Sequence, residues 1–531
     1  MLDRHDDELT WNADTRRFRR PDRCPYPDCG QPVNPTNAPA ALAWCPSCNR
    51  PYEAVRLAEN GSLMELYRRP HSSYCTHSGE LLTGYSLLDW CEAGGGPGRT
   101  NSLDDSRGAV FGAPDRQTRI SLREAWVQPS ILTQPDPEDH VGSVSVVRGQ
   151  IVAVTARGRI GIFDAVTGKP RLPRALEWPD GSTDPMDLER AVRHPPAFRG
   201  TRMVLAAPHE AYFRDLRSFL PGVEADFRYQ LVEADAGKSF LGPPLGIDVG
   251  NESFFCLLQG RAQEDGIHEP ELRFFTREGR PTHRLGLKAI SRPPVFDRWS
   301  GYLVWVDRKG ILSILPADQL VAGGEPQPVI LPLPSSLLDL EEDDRPTLIA
   351  AFDTNRRTEL WIASEPDGHA VLYKCVLDEL RRHPDQVWTW DRRDLGKLGP
   401  LSGLAVGVGS RYRDNAASQL LGVATSQQVA LFQRFSGIDA TLPMRGLETG
   451  GTRGSFDPPL VSSAGVIARL QGMLCLDNQG IGWDDAELHP RVLVPGIYDR
   501  AQGIAMFGRQ VFIGHGLGVR SYRLDLERPA P

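Results

Sequence analysis

Three observations predict an all-β chain. Apolar residues recur at period two through most of the sequence after residue 118, as in Tyr302, Val304 and Val306 against Leu303, Trp305 and Asp307; this is the repeat of a strand, not of a helix. Gly, Asp and Asn stand at the breaks between these runs, where turns require them. The stretch Pro293 to Leu315 strings together a Pro-Pro opener, a short apolar strand, a polar turn, an alternating strand, a turn at Lys309-Gly310 and another strand, and looser copies begin at Ser143, Pro195 and Pro458. A meander repeated about every 50 residues has the length of a four-stranded propeller blade. The predicted fold class is all-β: a closed β-propeller of seven to eight four-stranded blades, eight favoured, preceded by a small cysteine-bearing module.

Composition bounds the function classes. A hydrophobic share of 40% with 24% charged residues suits a globular chain with a large core. The net charge of −8 argues against a protein whose main task is coating nucleic acid, because phosphate neutralisation needs clustered Lys and Arg. The N-terminus, MLDRHDDELTWNADTRRFRR, has no apolar signal region, and no later run reaches the length of a membrane span; a cytoplasmic setting without membrane contact is expected. Of nine cysteines, four lie in two close pairs and five are scattered, a distribution that fits metal binding plus free thiols in a reducing compartment.

Taken in order, the chain opens with a charged arm carrying Arg16, Arg17, Arg19, Arg20 and Arg23, read as a solvated strip or as a contact for an acidic partner. Cys24-PYPD-Cys29 and Cys45-PS-Cys48 follow, fifteen residues apart. Two thiolates across a tight turn make half of a tetrahedral site, and two such knuckles complete the four-thiolate set that Zn²⁺ prefers. The pattern looks like a zinc ribbon, with a first gap of four residues where two is commoner. Four thiolates leave no position for a reactive water, so the metal is expected to be structural. Asn60-Gly61 predicts a hairpin turn after it. His71, Cys75, His77 and Cys91 match no familiar ligand spacing and are read as ordinary side chains, a second metal site being the alternative. From Ala93 to Gln117 the composition turns Gly- and Pro-rich, as in a linker. The expected division is residues 1–92 for the arm and ribbon module, 93–117 for the linker and 118–531 for the propeller.

Eight units are expected, beginning near Ser143, Pro195, Leu245, Pro293, Thr347, Leu404, Pro458 and Gly503. The third is read as carrying a long polar insertion between strands, and the sixth another around Arg411 to Ser418. Pro179 to Arg190 and the acidic run Asp339 to Asp344 are read as excursions on the rim. The last unit has room for three strands, and TRISLREAWV, Thr118 to Val127, is placed as its missing fourth, since an open ring would leave two unpaired edges.

The phrases PPVF with YLVWVDRKGILSIL, and QIVAVTARGRIGIFDAVTGKP, resemble the PQQ-like (quinoprotein-type) β-propeller repeat over about three quarters of the chain. That resemblance implies the propeller fold. Members that are alcohol dehydrogenases carry a vicinal cysteine pair over the quinone and a carboxylate-bound calcium; no two cysteines are adjacent here, so that activity is not carried over.

The sequence holds no GxSxG, HExxH, GxxxxGK[ST] or strand-to-helix GxGxxG pattern, and no catalytic or cofactor-binding residue is assigned. His515, between glycine-rich neighbours, is read as a turn or pore-edge residue. A ribbon joined to a propeller resembles multidomain bacterial assemblies, which implies a non-enzymatic scaffold with protein partners. Two alternatives stand beside it: a nucleic-acid adaptor using the arm and ribbon, and a hydrolase or oxidoreductase with its site on the propeller face. Purified protein should carry one zinc per chain by elemental analysis, lost on replacing Cys45 and Cys48 by Ser; well under one zinc with reduced thiols would refute the site.

Overall fold

The computed structural model describes strand backbones at residues 11–12, 17–18, 42–44, 51–59 and 62–68, and then the strands and many connections from 119 to 527, with side chains described mainly within 123–523. The first strands pair locally: Trp11–Asn12 with Arg17–Phe18, and Leu42–Trp44, Pro51–Glu59 and Ser62–Arg68 in one antiparallel sheet. Glu59 pairs with Ser62 on either side of the expected turn, whose Asn60 and Gly61 lie outside the described residues.

From residue 119 onward the described strands form eight antiparallel meander sheets, numbered here in chain order. Sheet 1 holds Val141–Val147, Gln150–Thr155 and Ile160–Asp164. Sheet 2 holds Ala197–Arg199, Arg202–Ala206, Glu210–Asp215 and Tyr229–Glu233. Sheet 3 holds Leu245–Val249, Glu252–Gln263, Gly266–Thr276 and Pro281–Gly286, with the short Ser239–Phe240 added beside its second strand. Sheet 4 holds Val295–Asp297, Tyr302–Val306, Ile311–Pro316 and Val329–Pro332. Sheets 5, 6 and 7 begin with Leu348–Thr354, Leu401–Val406 and Leu460–Ser462, and sheet 8 with Ile504–Phe507. The unit starts read from the sequence lie in or within three residues of these first strands.

Sheets 1 to 5 pack face to face in chain order. In sheet 2, Phe198, Met203, Leu205 and Tyr212 join Val152, Val154, Ile160 and Ile162 of sheet 1, whereas Val204, Ala206 and Phe213 join Phe255, Leu257 and Phe275 of sheet 3. Sheets 3 and 4 share Phe254, Phe274, Leu303 and Trp305; sheets 4 and 5 share Val304, Ile314, Leu360 and Tyr373. Both alternating sets of a middle strand are therefore buried, as along Tyr302–Val306. The polar half expected of a one-sided sheet disappears because successive side chains enter two different cores. Each fully buried Phe or Leu contributes about 2 kcal/mol by area.

Arg119–Gln128 pairs antiparallel with the last strand, Gly518–Glu527, from Val519 opposite Gln128 to Glu527 opposite Arg119. It is the fourth strand of sheet 8, in the place expected for Thr118 to Val127. Two details differ from the sequence reading. Sheets 1 and 6 hold three strands among the described residues and sheet 3 holds five, not four throughout. The supposed insertion of the third unit is strand: Arg261 pairs with His268, Ala262 with Ile267 and Gln263 with Gly266. Cross-strand pairing and the added Ser239–Phe240 keep this polar stretch extended. A chain beginning at Asp136, which lacks the fourth strand of sheet 8, should be much less soluble and melt earlier than one beginning at Asp115; equal solubility and melting would contradict the pairing.

Candidate functional site

Strand direction sorts the connections onto two ends of the sheets. In an antiparallel meander the turn between second and third strands lies at the end where the fourth strand crosses to the next sheet, and the other two turns lie opposite. The crossing end of sheets 2 and 3 carries Asp235, Lys238, Gln259, Glu271, Arg273 and Arg284; the opposite end carries Arg199, Arg202, Asp215, Asp248 and Glu278. Together they brace one seam.

At the crossing end, Asp235 follows the outer strand of sheet 2 and reaches into sheet 3. Its Oδ2 accepts from Gln259 Nε2 and from Arg284 Nη1, each at 2.8 Å. Gln259, wholly buried, also donates to Glu271, and its Oε1 accepts from Arg273 Nη1 at 3.3 Å. Arg273 in turn donates to the Glu233 carbonyl at 2.8 Å, and its guanidinium lies 5.1 Å from the Phe275 ring centroid. Lys238 adds an ion pair to Glu271 at 3.7 Å. Burial works against the Asp235 carboxylate, but the bonds from Gln259 and Arg284 outweigh it and hold its pKa below the ordinary value. Burial first, and then the neighbouring Arg284, lower that of Arg273.

Above this cluster the second and third strands of sheet 3 run on as a two-stranded arm. The fourth strand ends with Gly286 opposite Glu271, and the first begins with Leu245 opposite Cys256. Arg261 to Gln263 and Gly266 to His268 thus stand clear of both. At the base of the arm Glu269 adopts φ 47°, the one positive φ outside glycine among the described residues, beside a register shift between Gln259 and Arg261. Such a bulge twists the arm away from the plane of its sheet.

At the opposite end Arg199, buried on the first strand of sheet 2, donates to the carbonyls of Phe198 and Gly246 and pairs with Asp248 at 3.1 Å. Gly246 is required there, since a Cβ would occupy the guanidinium position. Arg202 pairs with the fully buried Asp215 at 3.1 Å and approaches Glu278 of sheet 3 at 3.9 Å. The apolar core of Val204, Phe213, Phe255 and Phe275 lies between the two ionic ends.

Elsewhere at the crossing end, Asp136 holds Arg157 at 2.7 Å and Arg159 at 3.1 Å, and buried Asp139 caps the backbone N–H groups of His140 and Arg157. His515 ends the second strand of sheet 8 opposite Gly518, a turn position, as expected from the sequence. Burial, with Arg520 nearby, lowers its pKa and favours the neutral imidazole. Facing sheet 1, burial pushes the Tyr212 hydroxyl up to about 12 and Arg214 down to about 10.

These groups are held by one another, which suits them to fixing shape rather than to exchanging protons. Among the described residues no three His, Cys, Asp or Glu side chains are grouped to hold a metal ion. Cys24, Cys29, Cys45 and Cys48, and likewise His71, Cys75, His77 and Cys91, lie outside the described residues. The strands flanking the second cysteine pair in sequence do pair, Trp44 opposite Pro51. The seam cluster has no local signature because the hydrogen bonds that join its side chains span 12 to 49 residues. The one available signal was the placement of Gln259, Glu271 and Arg273 within otherwise apolar strands. Replacing Gln259 with Leu should destabilise the chain by about 3 kcal/mol, since two carboxylates and an arginine each lose a buried partner; urea unfolding measures it. Asp235's own contribution, with its pKa below 3.8, is complete at neutral pH and is lost as pH falls below that value.

No family model matches the chain, and no curated protein matches it. Solved structures do. The quinohemoprotein alcohol dehydrogenase of Comamonas testosteroni aligns over 84% of this chain and 82% of its own, at 9% identity and a TM-score of 0.51. BamB of Moraxella catarrhalis aligns over 76% and 97% at 10% identity with a TM-score of 0.43. The β-propeller domain of Cps50 (Swd1) of Myceliophteria thermophila aligns over 75% and 100% at 11% identity with a TM-score of 0.39. At these identities the likeness concerns fold alone, and together with the stacked meander sheets it gives the chain an all-β architecture of the propeller type.

Proposed function

We propose that this chain is a non-enzymatic protein-interaction scaffold of a cytoplasmic multiprotein assembly. In this reading residues 118–531 form an eight-bladed ring closed by Arg119–Gln128, residues 1–92 form a zinc-ribbon module holding one structural Zn²⁺ on Cys24, Cys29, Cys45 and Cys48, and residues 93–117 tether the two. The observation that carries the reading is the arm of sheet 3. A two-stranded ribbon is marginal in water by itself, yet this one extends past its flanking strands from an ionic base in which buried Gln259 and Arg273 hold half-buried Asp235 and Glu271. Ile267 packs against the core between sheets 3 and 4 and anchors the arm, while Arg261, Ala262 and Glu269 are exposed, which presents the free edge that a docking element needs. Two docking units on one chain raise the effective concentration of whatever each binds.

The test compares the full chain with a chain lacking residues 1–92 by affinity purification from the native cell. The shortened chain should stay folded, keep one set of protein partners and lose another. Loss of the fold would make the N-terminal module part of the ring's packing instead. Turnover of an ester, phosphate or alcohol substrate that a single carboxylate or histidine change abolishes would overturn the non-enzymatic reading.

A further inference from the structure

We propose that Arg119–Gln128 is a detachable clasp, opening as one unit with the edge of the last strand and the Asp164–Lys169 turn of sheet 1 while the other sheets stay folded. The inference stands on pairing and burial alone and is independent of what the chain binds.

The clasp pairs with one described strand, Gly518–Glu527, and its other approach is to Gly472–Asp477 and Pro490–Pro495 of sheet 7. Arg123, Glu124, Ala125 and Val127 are exposed, so over residues 123–128 apolar attachment rests on Trp126, whose ring lies 5.8 Å from that of Phe512. The Glu124–Arg520 pair, at 3.8 Å between exposed side chains, adds little. Ala125 is skipped in the register between Glu124–Tyr522 and Trp126–Ser521, which leaves a bulge in the ladder. Beyond Arg523, the last strand residue that pairs with Gln510, Leu524 to Glu527 pair among the described residues with the clasp alone. Peeling therefore starts at Arg119.

One side chain ties the clasp across to the next sheet. Trp126 donates its indole N–H to the Ala165 carbonyl at 3.0 Å, and its ring covers Gly168, φ 69°, so closely that a Cβ there would lie 2.6 Å from it. Within the turn it covers, Thr167 donates twice to Asp164 at 2.9 Å, Gly168 N–H donates to the Asp164 carbonyl, and Arg171 pairs with Asp164 at 2.6 Å. When Trp126 leaves, the turn loses its cover and its one cross-sheet bond to the clasp together. On the other side the hinge is fixed, because buried Ile131 donates its N–H to the Leu517 carbonyl and Ser130 closes a local turn on Leu132. Opening stops there, and sheet 1 keeps its attachment through Val141 N–H to Gly516. Local opening of this kind falls on elements with few buried contacts.

Hydrogen exchange on the full chain, resolved by peptide, tests the clasp. Amides of residues 119–128, those of 518–527 paired to them, and those of 164–169 should exchange as one group, at least about tenfold faster than 203–206 and 302–306. Trp126→Phe keeps a ring but drops the indole donor, and should raise exchange of that group about fivefold, leaving 203–206 unchanged. Equal protection of 119–128 and 203–206 in the unaltered chain, or a rise in the variant spread over all sheets, would overturn the proposal. Should the variant fail to fold, the unaltered chain in sub-denaturing urea decides. A shallow urea dependence confined to the group supports the clasp, and a steep one shared with all sheets overturns it.

Discussion

A sheet that is apolar on both faces cannot stand alone, and that constraint governs this molecule. The buried middle strands, such as Arg202–Ala206 and Tyr302–Val306, each divide their side chains between two cores. Sheet 2 without sheet 3 would expose Val204, Ala206 and Phe213; without sheet 1 it would expose Met203, Leu205 and Tyr212. Every sheet so built needs a neighbour on each face. The pairing of Arg119–Gln128 with Gly518–Glu527 and the packing of sheet 8 against the first strand of sheet 1 answer that requirement.

Apolar faces alone do not fix how far one sheet slides over the next. The seam between sheets 2 and 3 adds direction to packing by placing ionic groups at both ends of its core. Arg199 and Arg202 reach sheet 3 at one end, and Arg273 and Arg284 reach back toward sheet 2 at the other. Buried ion pairs add little net stability against an apolar replacement. Their value here is geometric, because sliding the sheets would strand several charges at once, among them buried Arg199, Arg202 and Arg273. The arm of sheet 3 rises directly from this pinned seam, so its position relative to sheet 2 is set by the same groups.

How much of this is legible in the sequence follows from the range over which each signal acts. The meander starts, the turns and the orphan strand before the first unit were all readable, because period-two burial, Gly and Asp at breaks and Pro-Pro openers are local. Sheet 3 shows where local reading fails. Its stretch from Gln259 to Pro270 is polar, and local pattern alone makes it an insertion between strands. The pairing of Arg261 with His268 and the added Ser239–Phe240 override that local preference. The Asp235–Arg284 contact, spanning 49 residues, has no local sequence signature at all. The cysteine pairs are the converse case: their spacing is a strong local signal, and their side chains lie outside the described residues.

The two ends of the sheets also divide labour in a way the chain's own path imposes. Arg119, opposite Glu527, lies at the end opposite the crossings, whereas the arm of sheet 3 projects at the crossing end. What precedes residue 119 therefore joins the sheets on the side away from the arm. A partner seated at the arm and one held by residues before the clasp would approach from different sides, and neither would need to displace the other. The strand joining them is Arg119–Gln128, which runs from the first end to the second and carries Trp126 across to sheet 1. In the proposed reading the tether of residues 93–117 thus enters at one end of the sheets and the arm stands at the other.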